Sequence, residues 1–185
     1  MKYFLAKWYL RLNGWQVNVG DPEKLKGSVM VAAPHTTNYD FPIAIAIFWY
    51  MRVDLKYFIK DNYTKGIFGW FFKWTGAIGV DRSKAKNSLT DVAIDYLKKD
   101  KSLVILVPAE GSRKPVEKWR TGFYRIAKEA QVPVSLGYLD YKKKVGGVLG
   151  IFNLSGDFEK DMTHIQETYL PIHGKYPENY NPKIF

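Results

Sequence analysis

Short apolar runs alternate along this chain with segments of helical period, and few architectures accept that order. Ser28–Ala33, Lys56–Ile59, Ala77–Val80, Ser102–Val107 and Val134–Leu139 read as strands, and Val145–Asn153 as a strand loosened by glycines. Phe41–Met51, Gly66–Trp74, Ser88–Lys99 and Gly122–Ala130 lie between them and carry helical period. Strands separated by helices pair through crossovers, which favours parallel neighbours. The expected fold class is therefore α/β, a single layered domain with a largely parallel central sheet flanked by helices. No internal repeat, low-complexity stretch or linker divides the 185 residues, a length that suits one core. Ligands of such sheets sit beyond the carboxyl ends of the strands, so residues just after strands are the place to look.

The net charge of +10 implies an anionic partner, either phosphate-rich lipid or nucleic acid. Aromatic residues make up 16% of the chain, an excess that suits a boundary between water and an apolar phase. Cysteine is absent, which removes disulfides and thiolate metal sites, and no metal site is expected. No apolar run approaches the ~20 residues of a membrane-spanning helix, and the first residues, MKYFLAKWYLRLNGWQV, lack a signal-peptide cleavage site. On a helical wheel Phe4, Leu5, Trp8 and Leu12 form one apolar stripe, with Lys7 and Arg11 beyond its edge. The pattern fits a helix lying in a membrane interface and equally a terminal helix docked on the core. Residues 1–20 are read as this amphipathic segment and 21–185 as the main domain. The aromatic cluster of Gly66–Trp74, GIFGWFFKW, is core if buried and a membrane-contacting patch if exposed.

Three sets of polar residues follow strands. The first is Pro34-His35-Thr36-Thr37-Asn38-Tyr39-Asp40. On a straight helix His35 and Asp40 would stand ~140° apart, at ~100° per residue; they meet only if the segment bends, and Pro34, Thr36, Thr37 and Asn38 suit a turn. There the carboxylate would fix the imidazole tautomer and leave the other ring nitrogen to take a proton from a hydroxyl, the base–orienter pair of acyl transfer. Alternatively Asp40 caps the following helix. The second set, Gly76-Ala77-Ile78-Gly79-Val80-Asp81-Arg82, places Arg82 behind glycines, where it would fork onto phosphate or pair with Asp81. The third, Pro108-Ala109-Glu110-Gly111-Ser112-Arg113, joins a carboxylate, a guanidinium and the N–H groups of a glycine turn, which would hold an oxyanion; a polar turn with a local ion pair is the plainer alternative.

In this order, His-x4-Asp, Gly-x-Ile-x-Val-Asp-Arg and Glu-Gly-Ser-Arg resemble the first three motifs of the glycerolipid acyltransferase family, which includes bacterial lysophosphatidic acid acyltransferases. Trp119-Arg120-Thr121-Gly122-Phe123 and Val132-Pro133-Val134 look like that family's K-x-G segment and fourth motif. The resemblance spans about Val29 to Leu139, and the tail looks like short bacterial members. It implies that His35 is the base and Asp40 its orienter. It further implies that Arg82 binds an acceptor phosphate, that Glu110, Gly111, Ser112 and Arg113 complete the acceptor site, and that Lys60 adds a phosphate contact. Departures are Thr37 and Ser112, where the family usually has serine and threonine, and the loss of a second proline after Pro133.

The implied activity is transfer of a fatty acyl group from a thioester donor, acyl-CoA or acyl-ACP, to a hydroxyl of a lysophospholipid-like acceptor such as 1-acylglycerol 3-phosphate. Alternatives are another polar lyso-lipid such as an ornithine lipid, and a basic membrane- or nucleic-acid-binding protein without activity. Without a cysteine or a Gly-x-Ser-x-Gly elbow, transfer is expected to be direct. No cofactor is expected beyond the thioester co-substrate. The expected partners are an anionic lipid surface and acyl-CoA or acyl carrier protein, not nucleic acid. The expected place is cytoplasmic, peripheral on the inner face of the cytoplasmic membrane. His164 and His173 read as structural or surface residues.

Overall fold

The computed structural model describes residues 1–81 and 88–185. Helix α1 spans Lys2–Leu12, strand β1 Gln16–Asn18 and strand β2 Ser28–Ala32. Then come α2 (Asp40–Met51), β3 (Leu55–Lys60), α3 (Asp61–Lys65), α4 (Gly69–Trp74) and β4 (Ala77–Val80). The chain continues through α5 (Leu89–Lys99), β5 (Val104–Pro108), α6 (Gly122–Ala130), β6 (Val134–Asp140), β7 (Val145–Phe152) and α7 (Phe158–Tyr169).

The strands form one sheet in the order β1-β7-β6-β2-β5-β3-β4. Every neighbouring pair is parallel except β6 and β7, which are antiparallel. The α/β class and the largely parallel sheet are thus as expected. Strand β2 lies between β5 and β6, and alternate residues face opposite layers, as strand geometry requires. Val29 and Val31 join α5, α6, α7 and the C-terminal Ile184 in one core; Met30 joins α1 and α2 in the other. Both faces are therefore covered, which is why β2 reads as an unbroken apolar run. The carboxyl ends of β2, β3, β5 and β6 fall on one edge of the sheet.

Local chemistry explains several boundaries. Ser88 and Asp91 form a reciprocal capping box at the start of α5. The helix expected over Gly66–Trp74 begins only at Gly69, and a short helix that was not expected, Asp61–Lys65, precedes it. Gly69 sits so close to the Thr64 carbonyl that no Cβ would fit. Strand β1 was not expected; it is short, polar and held by pairing with β7. Gly147 admits it, since a Cβ there would collide with Asn18. Helix α1 docks on α2 through Ala6 and Leu10, both buried, not through the stripe of large residues. Phe4, Leu5, Trp8 and Leu12 remain exposed. Among the described residues no helix is long and apolar enough to cross a membrane.

Candidate active site

After β2 the chain turns through residues 33–39 before α2 begins at Asp40. The turn is closed by the Asp40 N–H donating to Thr37 O and the Phe41 N–H donating to Asn38 O, each at 3.3 Å. That bend brings Asp40 back onto His35, and His35 Nδ1 lies 2.9 Å from Asp40 Oδ2. The same oxygen accepts the backbone N–H groups of Thr36 and Thr37, each at 3.1 Å. Asp40 thus spends its carboxylate on the His35 loop and not on capping α2, whose start has no side-chain cap. An ionised carboxylate only accepts, so the hydrogen sits on Nδ1 and Nε2 keeps its lone pair. The His35 side chain is 23% exposed and Asp40 only 8%, so a substrate reaches the ring and not the carboxylate.

Tyr141, immediately after β6, donates its hydroxyl to Asp40 Oδ1 at 2.6 Å. Sequence reasoning missed it, since 101 residues separate the two. Its only signal was a position just past a strand end. The ring packs edge-on against Trp15 at 5.0 Å, and the backbone N–H donates to His173 O. Burial, together with the Asp40 carboxylate, pushes its phenol well above the usual range, so it stays a donor.

Glu110, after β5, lies beneath the same loop and is 2% exposed. Its Oε1 accepts the His35 backbone N–H at 2.9 Å, while Oε2 has no partner among the described residues. Burial pushes its carboxyl up to about 7, against the opposing pull of the His35 N–H. Behind the loop, the Tyr176 N–H donates to Thr36 Oγ1 at 3.3 Å, and Gly174 packs closely on Thr36. The loop is thus held from both sides.

His35 opens onto a cavity of about 690 Å³ lined by residues of α2, the sheet, α5 and α6. Its walls are mainly apolar, with Phe41, Ile45, Phe48, Tyr57, Ile59 and Leu106 among them. The size falls within the ~300–1,000 Å³ of ligand sites. Gly111 and Arg113 also line it, as does Arg120, which sequence reasoning had placed only in the K-x-G segment. Gly111 has φ +64°, and a Cβ there would stand 2.7 Å from Arg120 Nε, so glycine both makes the turn and seats Arg120 across it. The Gly111 N–H donates to Pro108 O at 3.0 Å. That N–H is therefore engaged inside the turn. Ser112 Oγ accepts the Lys114 N–H at 3.0 Å, a turn contact. Lys60 ends β3, exposed, next to Ile59 and near Tyr63, which line the cavity, without lining it itself. Arg82 lies outside the described residues. His164 is exposed beside Phe152, and among the described residues no group of three or more His, Asp or Glu is placed to hold a metal.

The model of the Acyltransferase family matches residues 16–135, well over half of the chain and all of the strands that carry the site up to β6. The chain belongs to the acyltransferase family. A curated relative, the 1-acyl-sn-glycerol-3-phosphate acyltransferase of Streptococcus pneumoniae, is 28% identical over 130 residues. The match takes in 70% of this chain and 48% of that protein, so this family member spans about half the length of the relative it matches. The crystal structure of the 1-acyl-sn-glycerophosphate (LPA) acyltransferase PlsC from Thermotoga maritima superposes with a TM-score of 0.61 at 15% identity. It covers 90% of this chain and 74% of that one, a likeness of fold. The family assignment agrees with the resemblance carried by the ordered motifs.

Proposed function

We propose that this protein is an O-acyltransferase that moves a fatty acyl group from a thioester, acyl-CoA or acyl-ACP, to a free hydroxyl of a lysophospholipid-like acceptor such as 1-acylglycerol 3-phosphate. The observation that carries the proposal is the His35–Asp40 pair, with Nε2 unpaired among the described residues, at an apolar cavity flanked by Arg113 and Arg120. Family membership and the named activity of the pneumococcal relative support the same reading.

In this mechanism the acceptor oxygen attacks the thioester carbonyl as His35 Nε2 takes its proton. Asp40 stabilises the imidazolium, and Arg113 offers charge to the developing oxyanion. The tetrahedral centre then collapses, the carbon–sulfur bond breaks, and the proton passes from His35 to the leaving thiolate. An ester and a free thiol result, with no acyl-enzyme. The apolar cavity takes a fatty chain, and Arg113, Arg120, Lys60 and Arg82 supply cations for the anionic parts of donor and acceptor. The acceptor is a lipid, so the protein works peripherally at a bilayer surface, on its cytoplasmic side where the donors are.

The test is a mass-spectrometric transfer assay offering both thioester types to a panel of lyso-lipids. A diacylated product with stoichiometric free thiol is expected. Thiol release by hydrolysis alone, or no turnover from any pairing by the folded protein, would overturn the proposal.

A further inference from the structure

The cavity onto which His35 opens straddles the sheet. Neighbouring residues of β3 and of β5 point to opposite faces, and the lining includes both kinds. Leu55, Tyr57 and Leu106 pack with Ile45 and Phe48 on the α2 side, whereas Phe58 and Val107 pack on the core shared with α5 and α6. The space therefore divides over the carboxyl edge of the sheet, at Ala33, Pro34 and Pro108, into one lobe under α2 and another under α5 and α6. In the second lobe Phe58, Leu89, Thr90 and Val107 are half-buried walls, and Ala93 and Ile126 form a buried floor.

The lobes differ in depth and in charge. The first descends to Leu55, the first residue of β3, which lies ~17 Å below the strand's end at ~3.3 Å per residue. The second reaches down β3 only to Phe58, two residues from that end, or ~7 Å. The cations in the lining are Arg113 and Arg120, and α2 contributes neither. Arg120 stands two residues before α6 and lies across the Gly111 turn, so a phosphate held there is next to the second lobe. A Cβ on Gly122 would stand 3.3 Å from Thr90 Oγ1; the bare backbone leaves room between α5 and α6.

We infer that the α5–α6 lobe holds the first part of the acceptor's own chain, on the face of the sheet opposite the donor's acyl chain, and that Thr90, Ala93 and Ile126 set which acceptors fit. The inference rests on the acyl transfer proposed above. Direct transfer brings the donor carbonyl and the acceptor hydroxyl to His35 together, and each carries an apolar chain that must leave in its own direction. The deep, uncharged lobe suits the donor chain, whose polar end is the carbonyl at His35. The shallow lobe suits a lyso-lipid whose phosphate sits on the two arginines and whose chain begins beside them. Its short reach means that bulk near the acceptor's glycerol is discriminated and the far end of that chain is not.

The experiment photolabels the full wild-type chain with two probes and maps the labelled peptides by mass spectrometry. One is 1-acylglycerol 3-phosphate with a diazirine near the ester end of its chain; the other is acyl-CoA with a diazirine near its terminal methyl. The acceptor probe is expected to label residues 89–93 and 122–126, and the donor probe residues 41–48. Kinetics of two variants at half-buried wall positions, Thr90→Phe and Ala44→Phe, make the second readout, with thermal melts to show intact folds. Thr90→Phe is expected to raise KM for the acceptor at least tenfold more than KM for the donor, and Ala44→Phe to do the reverse. Acceptor label on α2 or outside the cavity, no acceptor label, or a folded Thr90→Phe that shifts both KM values alike or neither would overturn the inference. If the wild type turns over no donor–acceptor pair, the proposed function fails, while the position of the acceptor label still decides the lobe.

Discussion

Replacing Asp40 by asparagine removes the carboxylate charge while keeping the shape of the group. The amide oxygen can take the place of Oδ2, accepting His35 Nδ1–H and the N–H groups of Thr36 and Thr37, while the amide NH2 faces the Tyr141 oxygen. Packing and loop geometry are thus retained. What is lost is the attraction between the carboxylate and the imidazolium that forms as His35 takes the proton. With 2.9 Å between the paired atoms, charges spread over the two groups interact by about 4 kcal/mol at an effective dielectric of about 20. A loss of that size lowers kcat by about 10³-fold. KM should change little, because the charge pair exists only once the proton has moved. Steady-state kinetics of Asp40→Asn, with a thermal melt to show an intact fold, make the check. A folded variant that keeps more than a tenth of the wild-type kcat would refute the role given to Asp40.

Other expectations follow from the groups around this pair. Tyr141→Phe keeps the ring against Trp15 but removes the donor to Asp40 Oδ1. A hydrogen bond to a charged group is worth about 1.5–3 kcal/mol, so denaturant melts should show a loss of that order, with a fall in kcat of about tenfold and KM unmoved. Glu110, held at about 7 by burial against an ordinary 4.5, keeps its proton in the folded state after the unfolded chain has lost it. Its contribution to stability is therefore full below about pH 4.5 and is lost as pH rises to about 7, by roughly 3 kcal/mol. Urea melts at pH 5 and pH 8 should show this slope in the wild type and its absence in Glu110→Gln; parallel slopes would contradict it.

Legibility in the sequence followed burial and distance along the chain. The strands β2 and β5 stood out because parallel strands covered on both faces are nearly unbroken apolar runs, while β3 and β6 showed as shorter apolar stretches interrupted by Lys56 and Ser135. His35 and Asp40 were visible because they are close in sequence and separated by residues that bend. Tyr141 was not, since only the folding of β6 beside β2 brings it to Asp40. The split between α3 and α4 turns on the approach of Gly69 to the Thr64 carbonyl, a contact between backbones that composition does not reveal. The stripe on α1 left open which side of the helix meets the core. A small residue, Ala6, lets α1 approach α2 closely, and the large side chains face outward instead. Arg120 was legible as part of a motif, but its place at the cavity depends on the φ of Gly111.

The most direct test of the central claim is the turnover of His35→Ala with 1-acylglycerol 3-phosphate and acyl-CoA, or with whichever pair the panel selects. A general base is worth roughly 10²–10⁴-fold, so product formation should fall by at least 10²-fold while the melting temperature stays close to that of the wild type. A folded His35→Ala protein that acylates the acceptor at more than a tenth of the wild-type rate would contradict direct transfer with His35 as its base.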